Sequence, residues 1–159
     1  YLESGKDVAV VTDAGTPGVS DPAYKLIRSV IQVDVKVEPI PGPSAFLTAL
    51  VASGLPTDRF LFVGFLPPKK GRRKKLSNLA SYEATLILYE NPKRLVKTLS
   101  DIATFLGDRP AVVCRELTKI HEEIIRGTIS GLLSYFSRES PRGECVIMIG
   151  KDDPNVYFG

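Results

Sequence analysis

The sequence predicts an α/β protein in two parts. Residues 1–57 read as the C-terminal part of a parallel α/β domain, residues 58–150 as a small α/β domain with a mixed sheet, and residues 151–159 as a tail. Three observations carry this. A strand-like run, a loop and a helical pattern follow one another twice before residue 55. Leu55-Pro56-Thr57-Asp58 then has the composition of a linker. Beyond it, short apolar runs alternate with turns, and two of them lie close enough to pair antiparallel.

The apolar run Val8–Val11 sits in a strand expected over 6–12. Thr12-Asp13-Ala14-Gly15-Thr16-Pro17-Gly18-Val19-Ser20-Asp21-Pro22 follows as a loop. Glycine lets backbone approach a ligand closely, and open α/β sheets bind ligands outside the carboxyl ends of their strands. Asp21 suits a helix N-cap and Pro22 a first helical position, so a helix is expected over 22–32, with Leu26, Ile27, Val30 and Ile31 on one face. Val35–Glu38 reads as a second short strand. Pro39-Ile40-Pro41-Gly42-Pro43 ends it, because three prolines fix φ and remove donors. Ser44 then precedes a small-residue helix, Ala45–Ser53, stopped by Gly54. An α/β domain that opens with its ligand loop is expected to be a fragment lacking earlier strands.

In the second part, strands are expected at Phe60–Phe65, Thr85–Glu90, Ala111–Glu116, Glu122–Gly127 and Glu144–Gly150. A basic loop, Pro67–Lys75, leads into a short helix, Leu76–Ser81. Asn91-Pro92 starts a longer helix to Leu106, with Leu95, Leu99, Ile102 and Leu106 on one side and Gly107 at its end. A last helix covers Ile129–Arg138, and the tail is expected to be poorly ordered.

Composition excludes several classes. No apolar run is long enough to span a membrane, and Tyr1–Lys6 lacks the pattern of a signal peptide, so a cytoplasmic location is expected. Cys114 and Cys145 lie in apolar runs and read as buried, reduced thiols. With them, the single histidine, His121, makes no zinc site of usual spacing, and no metal is expected. His121 reads as a surface residue. The first loop is neither a P-loop nor a dinucleotide loop, and there is no Ser-His-Asp set. Net charge is +3, but Lys69-Lys70-Gly71-Arg72-Arg73-Lys74-Lys75 holds six of the 21 basic residues. The remainder has 15 basic residues against 18 acidic. So local an excess of cations, at Lys69, Lys70, Arg72, Arg73, Lys74 and Lys75, suits phosphate-backbone binding and equally a solvated loop. Tyr89-Glu90-Asn91 and Arg115-Glu116-Leu117-Thr118-Lys119 stand at the ends of apolar strands and form a polar rim with Asp13, Thr16 and Ser44.

Asp13–Pro22, then Pro41-Gly42-Pro43-Ser44-Ala45, then Gly54-Leu55-Pro56-Thr57-Asp58-Arg59-Phe60 resemble the tetrapyrrole-methylase-like S-adenosylmethionine methyltransferases. Gly64-Phe65-Leu66-Pro67, Gly71-Arg72-Arg73, Leu88-Tyr89-Glu90, Arg115–Lys119 and Gly143-Glu144 narrow the resemblance to the branch acting on 16S ribosomal RNA. Gly15-Thr16-Pro17 stands where corrinoid and porphyrin methylases carry Gly-Asp-Pro. The resemblance implies a two-domain fold whose N-terminal parallel α/β domain is truncated here, since the family's opening strand and Gly-rich loop are absent.

It further implies S-adenosyl-L-methionine as cofactor, methylation of a cytidine ribose 2′-hydroxyl in the decoding region, the small ribosomal subunit as partner, and a homodimer. Asp13, Thr16, Val19, Ser44 and Ala45 are implied to contact the cofactor, with Tyr89 and Glu116 closing the pocket. RNA phosphate is what Lys69, Lys70, Arg72, Arg73, Lys74 and Lys75 are implied to contact. The attacking hydroxyl is a weak acid, so a base is expected. Glu116 and Lys119 are the candidates, the lysine needing a lowered pKa. Two alternatives stand beside this: a tetrapyrrole C-methyltransferase, and an incomplete fragment that only binds and dimerises.

Overall fold

The computed structural model describes residues 1–138 and 141–158; of the tail, Gly159 lies outside the described residues. The chain divides into two compact units, Tyr1–Ser44 and Ala45–Gly159. No helix among the described residues is long and apolar enough to cross a membrane.

The first unit holds one α-helix, α1 (Ala23–Ile31), and a short 3-10 turn at Leu2–Ser4. Helix α1 starts at Ala23, so Pro22 rather than Asp21 stands at the N-cap; the Asp21 carboxylate before it accepts from the Ala23 N–H at 2.8 Å and from the Gly18 N–H at 2.9 Å, which folds the loop back on the helix start. The expected strands at 6–12 and 35–38 are not strands. A strand exists through the hydrogen bonds of its neighbours. No described residue of this unit supplies such a neighbour, so the segments run without a ladder and Val11 is 83% exposed.

The second unit opens with α2 (Ala45–Ser53) and is built on one five-stranded sheet: β1 (Phe60–Phe65), β2 (Thr85–Glu90), β3 (Pro110–Arg115), β4 (Glu123–Thr128) and β5 (Cys145–Ile149). Spatial order is β1-β2-β5-β3-β4. Only β1 and β2 are parallel; the other three pairings are antiparallel, including the expected β3–β4 pair. A bulge between Phe62 and Gly64 interrupts the β1 register, and Gly64 takes φ +67° there, a backbone region suited to glycine.

One face of the sheet is covered by α3 (Arg72–Leu79), α4 (Pro92–Leu106) and α5 (Ile129–Arg138). The periodicity of α4 is as its sequence reads: Leu95, Leu99, Ile102 and Leu106 are all buried. Each such side chain contributes about 1.5–3 kcal/mol on leaving water. Asn91 caps α4 by accepting from the Lys93 N–H at 2.9 Å, and Gly107 ends it at φ +84°. The opposite face carries α2 and the chain end, with Ala49, Leu50, Ile87, Val112, Cys114 and Met148 as its core.

Two expectations change. Helix α3 begins at Arg72 rather than Leu76, because Gly71 turns at φ +81° and releases the basic residues into the first helical turn. The tail is not loose over its described residues. Val156 and Phe158 pack on the second core, and the Tyr157 hydroxyl donates to the Asp108 carbonyl at 3.0 Å.

Candidate functional site

The sheet register collects the polar strand ends along one edge. Glu90 stands opposite Cys145, Cys145 opposite Arg115, and Arg115 opposite Glu123. Antiparallel β5 starts where β2 and β3 end, so Gly143 and Glu144 join the groups that sequence reading placed there.

The turn after β3 is held tightly. Glu116 and Thr118 have φ of +49° and +64°, conformations that non-glycine residues rarely adopt. Hydrogen bonds fix them: the Glu116 N–H donates to the Glu144 carbonyl at 3.1 Å, and the Thr118 N–H to Glu122 Oε2 at 2.6 Å. Glu116 Oε1 accepts from the Glu144 N–H at 2.9 Å and from Lys119 Nζ at 3.0 Å, while the same Nζ reaches Glu144 Oε2 at 3.0 Å. A side chain at Gly143 would overlap the Glu116 Cγ and carboxylate, so this packing requires glycine there.

The charge states follow. The Glu144 N–H, then Lys119, hold the Glu116 carboxyl below its ordinary value. Glu144, then Glu116, push Lys119 above its ordinary value. The lowered pKa that a lysine base needs is therefore absent: two carboxylates keep Lys119 protonated, and the neighbouring Arg115 is occupied elsewhere. Arg115 donates from Nε to Glu123 Oε2 at 2.8 Å and from Nη1 to the Arg142 carbonyl at 2.7 Å. Glu144 is the member of this cluster that the sequence alone does not mark as a site residue. Its signal was a Gly-Glu pair opening an apolar strand.

Tyr89 lies beside an aromatic group. Phe62 stacks on Phe46 with centroids 4.5 Å apart, and Tyr89 meets Phe62 and Phe65 edge-on at 5.0 and 5.7 Å. The Phe46 N–H donates to the Tyr89 hydroxyl at 3.2 Å, leaving the hydroxyl proton free to donate. Burial pushes the Tyr89 pKa up, so that proton stays in place. Ala45 is next in the chain to this pair. In the first unit, the Thr16 hydroxyl donates to the Pro43 carbonyl at 2.9 Å and ties the two expected cofactor loops together, next to Ser44 in the chain; Asp13 and Val19 are exposed.

The basic segment divides. Arg72 turns inward: its Nε donates to Asp101 Oδ2 at 2.7 Å, its Nη2 to the Thr98 hydroxyl at 2.8 Å and its Nη1 to the Pro67 carbonyl at 3.2 Å. Thr98 donates on to Glu90 Oε2 at 2.6 Å, and Arg94 pairs with Glu90 Oε1. Lys75 donates to the Val63 carbonyl at 3.2 Å. Lys69, Lys70, Arg73 and Lys74 are exposed. His121 is exposed as well. A small pocket of about 190 Å³, lined by Asp58, Arg59, Glu83 and Lys151, lies at the opposite ends of β1 and β2, away from this edge.

The family model for Tetrapyrrole (Corrin/Porphyrin) Methylases matches residues 1–133. Ribosomal RNA small subunit methyltransferase I of Synechocystis sp. is 48% identical over 152 residues, covering 94% of this chain and 54% of that protein. The protein of the same name from Thermotoga maritima is 42% identical, covering 95% and 68%. The chain thus spans about half to two thirds of the length of these relatives. Among solved structures, the methyltransferase CobJ superposes with a TM-score of 0.64 at 20% identity, over 87% of this chain and 62% of that one, a likeness of fold.

Proposed function

This chain belongs to the tetrapyrrole methylase family, and from that premise we propose that it is part of an S-adenosylmethionine-dependent enzyme that methylates a cytidine ribose 2′-hydroxyl in 16S ribosomal RNA. The observation that carries the reading is the 42–48% identity, across nearly the whole chain, to proteins named ribosomal RNA small subunit methyltransferase I. In this reading residues 1–57 end the N-terminal α/β domain and residues 58–150 form the second.

The residues present suit the cofactor. The aromatic surface of Phe46, Phe62 and Tyr89, with a hydroxyl proton free to donate, fits a flat nucleoside base. The resemblance implies that Asp13, Thr16, Val19, Ser44 and Ala45 would contact the cofactor, and likewise Tyr89 and Glu116. When bound, the cofactor supplies an electrophilic methyl on a sulfonium; the work left to the protein is position and electrostatics.

Glu116, kept ionised, is the candidate base: it would accept a hydrogen bond from the ribose hydroxyl and take its proton as that oxygen bonds to the methyl. Lys119 fixes that carboxylate through the Glu116–Lys119–Glu144 cluster rather than acting as a base. Lys69, Lys70, Arg73 and Lys74 hold RNA phosphate. The resemblance also implies a homodimer in the cytoplasm, and sedimentation reads the assembly.

The test is transfer of labelled methyl from S-adenosylmethionine to small ribosomal subunits, followed by nuclease digestion. The proposal expects label in 2′-O-methylcytidine. Label on a base, or no label on the RNA, overturns it.

A further inference from the structure

We infer that the RNA-binding surface extends from the basic loop onto the exposed stripe of α4, with Lys93 and Lys97 as phosphate contacts; this rests on the ribosomal-RNA reading above. Residues 66–80 and 91–106 hold nine cations and a single acid, Asp101, in a chain whose net charge is +3. The fold brings these two segments together. Arg72, at the start of α3, reaches across to Thr98 and Asp101 on α4, and Lys97 Nζ lies 3.7 Å from the same Asp101 carboxylate. Lys93 is one helical turn before Lys97 on the same exposed face.

Charge compensation is missing where it would be expected. Asp101 is already engaged by the inward-facing Arg72 at 2.7 Å, so little of its charge is left for Lys97. Glu90 is buried and taken up by Arg94 and Thr98. Lys69, Lys70, Arg73, Lys74 and Lys93 have no ion-pair partner among the described residues. Both helices also begin with cations and without an acid in their first turn, which opposes the helix dipole. The arrangement raises the local free energy of the protein alone and lowers it when a polyanion is present. Both helices follow the carboxyl ends of β1 and β2, so the surface adjoins the edge that carries Tyr89 and Glu90. A strand of RNA phosphates held by the loop would continue along α4.

The test is fluorescence anisotropy with a labelled RNA hairpin copied from the small-subunit rRNA decoding region, across about 50 to 200 mM salt. Three proteins are compared: the chain as it stands, a Lys93→Gln/Lys97→Gln variant, and a Lys69→Gln/Lys70→Gln variant. Thermal melting checks that each is folded. The inference expects the α4 variant to bind more weakly and its log–log salt slope to fall by roughly 0.7 to 0.9 for each lysine removed. An α4 variant with the original slope, beside a loop variant that has lost slope, overturns the extension while the RNA reading stands. No salt-dependent binding by the unaltered chain overturns both.

Discussion

Arg72 and Arg73 are adjacent in sequence and opposite in role, and replacing each by alanine separates structure from surface charge. The Arg72 side chain is 8% exposed and makes three hydrogen bonds, to Asp101, Thr98 and the Pro67 carbonyl. Arg72→Ala leaves Asp101 without its main partner and takes a donor from Thr98, which is fully buried and also serves Glu90. Breaking a buried pair from one side costs about 3–5 kcal/mol. Asp101 retains 24% exposure and can rehydrate, which places this case near 3 kcal/mol, the lower end of that range. For a chain of this size, that lowers Tm by about 6–12 °C. Arg73→Ala removes an exposed cation and is expected to stay within about 0.5 kcal/mol. Circular dichroism melts and urea titrations of the two variants read the difference. Equal shifts, or a larger one for Arg73→Ala, refute the division of the basic segment into an inward anchor and an outward surface.

Gly143→Ala is expected to destabilise by about 1–2 kcal/mol from the positive φ alone, and to displace Glu116; urea titration reads the first and crystallography of the variant the second. Glu116 and Glu123 both titrate below the ordinary glutamate value: for Glu116 through the Glu144 N–H and Lys119, and for Glu123 because hydrogen bonds from Tyr135 and Arg115 outweigh its burial. A carboxylate with a depressed folded pKa stabilises fully above its unfolded value and loses that contribution as pH falls through the folded one. Stability should therefore decline below about pH 4.5, less steeply in Glu116→Gln, as pH-resolved melts would show. Burial pushes the Cys114 and Cys145 thiols up to about 12 and about 11, so iodoacetamide at pH 8 should label neither in the folded protein and both after unfolding. Rapid native labelling would place a thiol at the surface.

Where local pattern and packing agree, the sequence was readable. The apolar stripe of α4 and its Asn-Pro start could be placed because helical period and capping act within a few residues. The β3–β4 pairing followed from a short connection. Other features depend on distant partners. Val8–Val11 has the composition of a strand, but composition supplies no neighbour to bond with. The start of α3 was hidden because Arg72–Lys75 show no apolar period. Nothing in Arg72-Arg73 says which arginine turns inward; Asp101, far along the chain, decides it. Likewise, the charge state of Lys119 could not be read without Glu144, which approaches only when β5 enters the sheet.

The sheet is also ordered against the direction of synthesis. Its central strand, β5, is the last of the five to be made, and it alone joins β1–β2 to β3–β4. As the chain emerges from the ribosome, two separate strand pairs wait with open edges until residues 145–149 arrive. Those five residues, Cys-Val-Ile-Met-Ile, are all buried in the finished fold. Released too early, they form a short, uncharged, strand-prone segment of the kind that aggregates. The pairing it must make is non-local, and therefore slow. A stop codon a few residues before Cys145 would leave two half-sheets rather than a slightly shorter domain.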